Sequence, residues 1–188
     1  STNSGNTWIQ QTNTPYAPDE DFWDSVASSA DGAKLVTVGF YGGEILTSTN
    51  FGDSWATPSG VSQYLRCVAS SANGNDLALV SLTGGIYTST NSGDSWVTNN
   101  ALDANWSSIA SSSDGSKLVA TDAAGGGIYT STDAGVTWAL TSAPSNVWYS
   151  VASSADGAKL VAVAGGSDNE GPIYFSTDSG MTWNIANA

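Results

Sequence analysis

The chain has 188 residues, a formal net charge of −13 from 17 acidic and 4 basic side chains, no histidine, and 10% aromatic residues. Phosphate binding needs Lys and Arg to replace counterions, so nucleic acid is not an expected partner, and an anionic membrane surface is disfavoured on the same ground. No apolar run approaches the roughly 20 residues that cross a bilayer, so no membrane insertion is expected, and the aromatic content argues against disorder.

In chain order, the first element is Ser1-Thr-Asn-Ser-Gly-Asn-Thr-Trp8, an eight-residue segment that returns four more times. Ser1 opens the chain with neither Met nor a signal-like apolar core, and the expectation is a processed or excised piece. The segment that begins Trp23-Asp-Ser-Val-Ala-Ser-Ser then starts a longer unit. Its Val-Ala-Ser-Ser core recurs at Val26, Val68, Ile109 and Val151, at spacings of 42, 41 and 42. Each core is followed by a hairpin dipeptide: Asp31-Gly32, Asn73-Gly74, Asp114-Gly115 and Asp156-Gly157. These pairs tolerate positive φ and predict a two-stranded turn. Next come a second strand such as Lys34-Leu-Val-Thr-Val, a Gly-rich bend, and a third strand such as Gly127-Ile-Tyr-Thr-Ser. The eight-residue segment follows at Ser48–Trp55, Ser89–Trp96, Ser131–Trp138 and Ser176–Trp183, and a fourth strand is predicted from its Trp.

Period-2 patterning in short strands, with no helical period anywhere, makes the class all-β. Four strands every 42 residues or so is a propeller pattern, because a small twisted sheet needs neighbours on both faces. A β-sandwich is the alternative, but it would not require such regular recurrence. The expected fold is a small β-propeller of about four four-stranded blades in one domain, residues 1–188. Its units run 23–63, 64–105, 106–147 and 148–188, and residues 1–22 hold a surplus outer strand and a linker. Five fourth strands for four blades leave one over. Such an edge is a template for pairing with another chain, so a homo-oligomer or filament through this edge strand is expected.

The eight-residue segment resembles Ser/Thr-x-Asp-x-Gly-x-x-Trp, the Asp-box or BNR repeat. The unit is similar to those of Asp-box propellers in sialidases, xyloglucan-cleaving glycosidases, sortilin-type receptors and photosystem II assembly factors. The resemblance implies the propeller fold and no particular activity, because those families do unrelated things. Sialidases hold a substrate carboxylate with three arginines, whereas this chain has only Arg66. In the glycosidases the cleft lies between two large propellers, and here there is room for one small one. Physically, the fifth-position Gly permits the turn, the third-position Asp or Asn accepts turn amides, and the Trp packs on the sheet. Trp96 and Trp138 are therefore expected to stabilise the fold.

Without His, Cys/His zinc sites and His-dependent triads are ruled out, and no enzyme is expected. A carboxylate pair for glycoside hydrolysis is formally open, yet Asp31, Asp114, Asp133, Asp156 and Asp178 all fall in repeated turns. Lys34, Lys117 and Lys159 read as solvated repeat positions. Cys67 cannot form an intrachain disulfide and aligns with Ser25, Ser108 and Ser150, in a place that suits a small side chain. The acids that break the repeat are Asp19, Glu20, Asp21 and Asp24 in one long loop, and Asp168 and Glu170 in another. Both loops emerge on one face, where they form an acidic rim or hold Ca²⁺; no other cofactor is expected. Trp23, Trp106 and Trp148 share one repeat place on that face, with Tyr64 and Tyr149 beside it. They are either wedges between blades or a ligand-binding surface.

The expectation that follows is a non-catalytic, extracellular or cell-surface module that binds a glycan or protein, or builds an extracellular assembly. The alternatives are an excised fragment of an Asp-box glycoside hydrolase and an engineered propeller.

Overall fold

The computed structural model describes residues 5–10, 23–40, 44–58, 61, 64–99, 104–165 and 171–186. Among these residues, fifteen strands make four antiparallel sheets, each a meander in chain order. The first holds β1 (Trp23–Ser28), β2 (Leu35–Gly39) and β3 (Ile45–Ser48). The second holds β4 (Leu65–Ser70), β5 (Leu77–Ser81), β6 (Ile86–Ser89) and β7 (Val97–Thr98). The third holds β8 (Trp106–Ser111), β9 (Leu118–Asp122), β10 (Ile128–Ser131) and β11 (Ala139–Leu140). The fourth holds β12 (Val147–Ser153), β13 (Leu160–Gly165), β14 (Ile173–Ser176) and β15 (Asn184–Ile185).

The predicted outer strands are shorter than expected. Pairing starts one residue after each Trp and lasts two residues, and in the first blade it shrinks to the bridge between Thr47 and Ala56. Pro58 lies two residues on and has no N–H to continue that ladder. The first expected copy forms no strand at Thr7–Gln10, and Trp8 and Ile9 are exposed. The outer edge of the last blade is instead taken by β15, which pairs with β14.

The first hairpin of each blade closes on a side-chain relay. Asp31 Oδ1 accepts the Ser29 hydroxyl at 2.6 Å and the Ala33 amide at 3.0 Å, while Ser29 Oγ accepts the Lys34 amide at 3.0 Å. The relay recurs at Ser71–Asn73, Ser112–Asp114 and Ser154–Asp156. In the eight-residue turns, Ser48 Oγ accepts the Gly52 amide at 2.9 Å and Asn50 Oδ1 accepts the Ser54 amide at 3.0 Å. Asn91, Asp133 and Asp178 do the same in the later blades. Two residues in a row take positive φ there, as at Phe51 (61°) and Gly52 (87°). The sequence marks only the second of them, by its Gly.

The core lies between blades. Faces alternate with period 2, so Val36, Val38 and Ile45 of the first blade meet Leu65, Val68, Leu77 and Leu79 of the second. Ala78, Val80 and Ile86 meet Trp106 and Ile109, and Val119 and Ile128 meet Trp148 and Val151. The inner strands stand side by side in the order β1, β4, β8, β12. Lys34 and Lys117 are not freely solvated as expected. Lys34 Nζ binds Asn75 Oδ1 and Ser92 Oγ of the next blade, and Lys117 Nζ binds the Asp156 carbonyl at 2.9 Å.

Candidate functional site

Every inner hairpin carries the same irregularity. The register between first and second strands slips between Trp23 and Ser25, Leu65 and Cys67, Trp106 and Ser108, and Trp148 and Ser150. Each slip leaves one extra residue, and in chain order these are Asp24, Arg66, Ser107 and Tyr149. Bulges of this kind re-aim a side chain and recur beside binding sites. Here all four fall at the same end of the inner strands, where the long loops emerge.

Two neighbouring members of the row, Arg66 and Asp24, meet. Arg66 Nη1 lies 3.0 Å from Asp24 Oδ2, and the Arg66 guanidinium sits 5.5 Å from the centroid of the Phe40 ring. Phe40 in turn lies 5.4 Å from Tyr64, with the rings tilted by 42°. Ser107 Oγ bonds Thr121 at both its carbonyl, 3.1 Å, and its hydroxyl, 2.9 Å. Tyr149 is exposed, and its ring lies over the Gly165 backbone, where any Cβ would collide with it. The row therefore presents one acid, one base, one hydroxyl and one phenol, flanked by the exposed Tyr64.

Of the five aromatics expected to bind a ligand, Tyr64 and Tyr149 are on this surface. Trp106 and Trp148 are completely buried between blades, tilted edge-on to Tyr129 and Tyr174. Neither has a ring face left for a ligand, which corrects the binding reading of these two and leaves them as wedges. Trp23 holds the same repeat place but is half-exposed. Asp24 is the only one of the five expected calcium ligands within the described residues, and it is paired with Arg66; Asp19, Asp21, Asp168 and Glu170 lie outside them. Among the described residues no cluster of three or more His, Cys, Asp or Glu side chains is present.

The turn acids have a different character from a catalytic pair. Hydrogen bonds from Ser112 and Ser116 hold Asp114 down at about 2. Ser29 and the Ala33 amide lower Asp31, and Ser154 and the Ala158 amide lower Asp156. Thr137 and Thr182 do the same for Asp133 and Asp178. A general acid needs the opposite shift. Cys67 Sγ lies 3.8 Å from Ser25 Oγ and 3.9 Å from Ser108 Oγ, continuing one polar line across three inner strands.

The bulge row was missed because one extra residue in a strand has no composition signal. A clue does exist: this position varies as Asp, Arg, Ser and Tyr inside an otherwise constant repeat.

Four antiparallel sheets, packed face to face through their inner strands, define an all-β protein of the small β-propeller class. No protein-family model and no curated protein sequence matches the chain. Solved structures do. The chain is similar to the Niastella koreensis GH74 enzyme, with a TM-score of 0.67 and 18% identity over 86% of this chain and 24% of that one. It is similar to YCF48 bound to D1 peptide, with a TM-score of 0.67 and 19% identity over 96% of this chain and 57% of that one. A chain of the nidogen/laminin complex matches with a TM-score of 0.71 and 12% identity, over 89% and 65%. At such identities the likeness is one of fold alone. The chain spans about a quarter of the GH74 enzyme and little more than half of the YCF48 chain.

Proposed function

We propose that this propeller is a non-catalytic, extracellular recognition module, and that the bulge row binds a neutral glycan. The observation that carries the reading is the repeated bulge, which aims one variable side chain per blade at the same face of a constant scaffold. Exposed Tyr149 and Tyr64 offer flat apolar faces with a polar tip, and Asp24, Arg66 and Ser107 offer donors and acceptors for hydroxyls. The chain's net charge of −13 disfavours an anionic polysaccharide. The engagement of the turn acids in their own hairpins supports a scaffold role for them. A glycan array followed by titration of Tyr149→Ala and Arg66→Ala tests this. Binding that both variants weaken, with melting temperature kept, supports the site. Silence on the array with capture of a protein ligand through the same residues would replace the glycan, and binding indifferent to both variants would remove the row.

A further inference from the structure

The three joints between blades are built from the same parts, and several of those parts stand exposed on the first and last blades. On the leading side of a joint stand Leu65 and Val68, Trp106 and Ile109, or Trp148 and Val151, none more than 7% exposed. Their counterparts on β1, Trp23 and Val26, are 40% and 69% exposed. On the trailing side, Val36 and Ile45 and their equivalents in the next two blades are at most 4% exposed, whereas Val161 and Ile173 of the last blade are 41% and 44% exposed. Among the described residues, no packing comparable to the three joints brings β12 onto β1.

The polar parts follow the same rule. The Val68 amide donates to Ser25 Oγ and the Val151 amide to Ser108 Oγ; at the chain's ends those places belong to the Val26 amide and Ser150. A backbone row runs from the Ala30 amide to the Ala72 carbonyl, from Ala72 to Ser113, and from Ser113 to Ala155, at 2.7–2.8 Å. It would continue from the Ala155 amide to an Ala30 carbonyl. Lys34 covers Gly74, Asp76 covers Gly115 and Lys117 covers Gly157, while Gly32 has nothing above it and Lys159 is exposed.

Two phenylalanines mark the missing joint. The Thr47, Thr88 and Thr130 methyls lie against Gly93, Gly135 and Gly180 of the following blade. The fourth member of the Thr series is Phe175. The residue before each of those glycines is Ser92, Ala134 or Ser179, and its counterpart in the first blade is Phe51. Both phenylalanines are exposed, and Phe51 holds its ring out from a left-handed φ of 61°. The repeat is broken by an aromatic at the two places that a fourth joint would bring together.

We infer that a second copy of this chain supplies the missing half of each end, so that two chains close head to tail into one eight-bladed ring. In each joint Val26 and Trp23 of one copy cover Val161 and Ile173 of the other, Phe51 meets Phe175, and Lys159 lies over Gly32. Everything this joint needs is carried by the chain itself, which selects a second copy as the occupant. Head-to-tail contacts either close or run on. Two copies make eight blades, inside the usual range of closed propellers, and three would make twelve. The contact is through whole blade faces, with no role for an N-terminal edge strand.

Sedimentation equilibrium of the chain and of Val26→Asp and Ile173→Asp tests this. Both substitutions fall on side chains exposed in the single chain, and circular dichroism controls for its fold. The expected mass is twice the chain's 19.1 kDa. Each variant alone should be a folded monomer. A mixture of the two should associate again, because it retains one intact joint of two. A wild-type monomer at all concentrations overturns the inference. So does loss of association in one variant only, which marks a symmetric face-to-face dimer. A mass that grows without limit overturns the closed ring.

Discussion

The Ser108 hydroxyl accepts the Val151 amide at 3.3 Å and so links the inner strands of the third and fourth blades. Both residues are buried, and the same link joins Ser25 to Val68. Removing the acceptor leaves a buried N–H without a partner. Ser108→Ala should cost about 1–3 kcal/mol, and Ser108→Cys less, since Cys67 already fills the equivalent place. Denaturant unfolding checks the ranking, and equal losses in the two variants would contradict it.

The wedge tryptophans and the turn tryptophans should separate in stability. Trp148 is completely buried, and Trp148→Ala is expected to cost roughly 3–5 kcal/mol. Trp138 is only half-buried, although its Nε1 donates to the Gly135 carbonyl at 3.0 Å. Its replacement by Ala should cost about 2 kcal/mol. Thermal melts of both variants decide, and a larger loss at Trp138 would reverse the assignment of the core.

Acid should loosen the hairpins. Asp31, Asp114, Asp133, Asp156 and Asp178 are all depressed below 3.8 in the fold, and Asp114 reaches about 2. A depressed carboxylate contributes stability that is present above the unfolded value and lost as pH falls through the folded one. Stability should therefore fall as pH drops from about 4 towards 2. Asp114→Asn, matching Asn73 of the second blade, should flatten that part of the profile. An unchanged profile in the variant would show that the Ser112–Asp114 bond does not act in solution.

The pair of Arg66 with Asp24 should matter little to folding. It is exposed, and such pairs contribute at most about 1 kcal/mol. Asp24→Asn should shift the melting temperature by no more than about 4 °C, the most that so small a change moves a domain of this size. A collapse of the fold would make the row structural.

The repeat made most of the fold legible. The repeated cores at Val26, Val68, Ile109 and Val151 all lie within the inner strands β1, β4, β8 and β12. The Asp-Gly turns and the glycines of the eight-residue segment also fall where their chemistry places them. Three things were not legible, each for a physical reason. A period locates a residue within its blade and does not say what crosses the joint, so Lys34 and Lys117 looked solvated. Bulges shift register without changing composition, so Asp24, Arg66 and Ser107 did not stand out as a row with Tyr149. The repeated Trp was the same residue in three units, yet its exposure depends on whether another described blade packs against it. That dependence separates Trp23 from Trp106 and Trp148.

Thiol cross-linking along the inner strands tests the arrangement of the blades most directly. Cys67 Sγ lies 3.8 Å from Ser25 Oγ and 3.9 Å from Ser108 Oγ, in the blades on either side. A short bifunctional thiol reagent should join Cys67 to a cysteine placed at 25 or at 108 within one chain, and should not join it to one at 150. Intrachain linkage of Cys67 to position 150, or failure at both 25 and 108, would contradict the order β1, β4, β8, β12 on which the site rests.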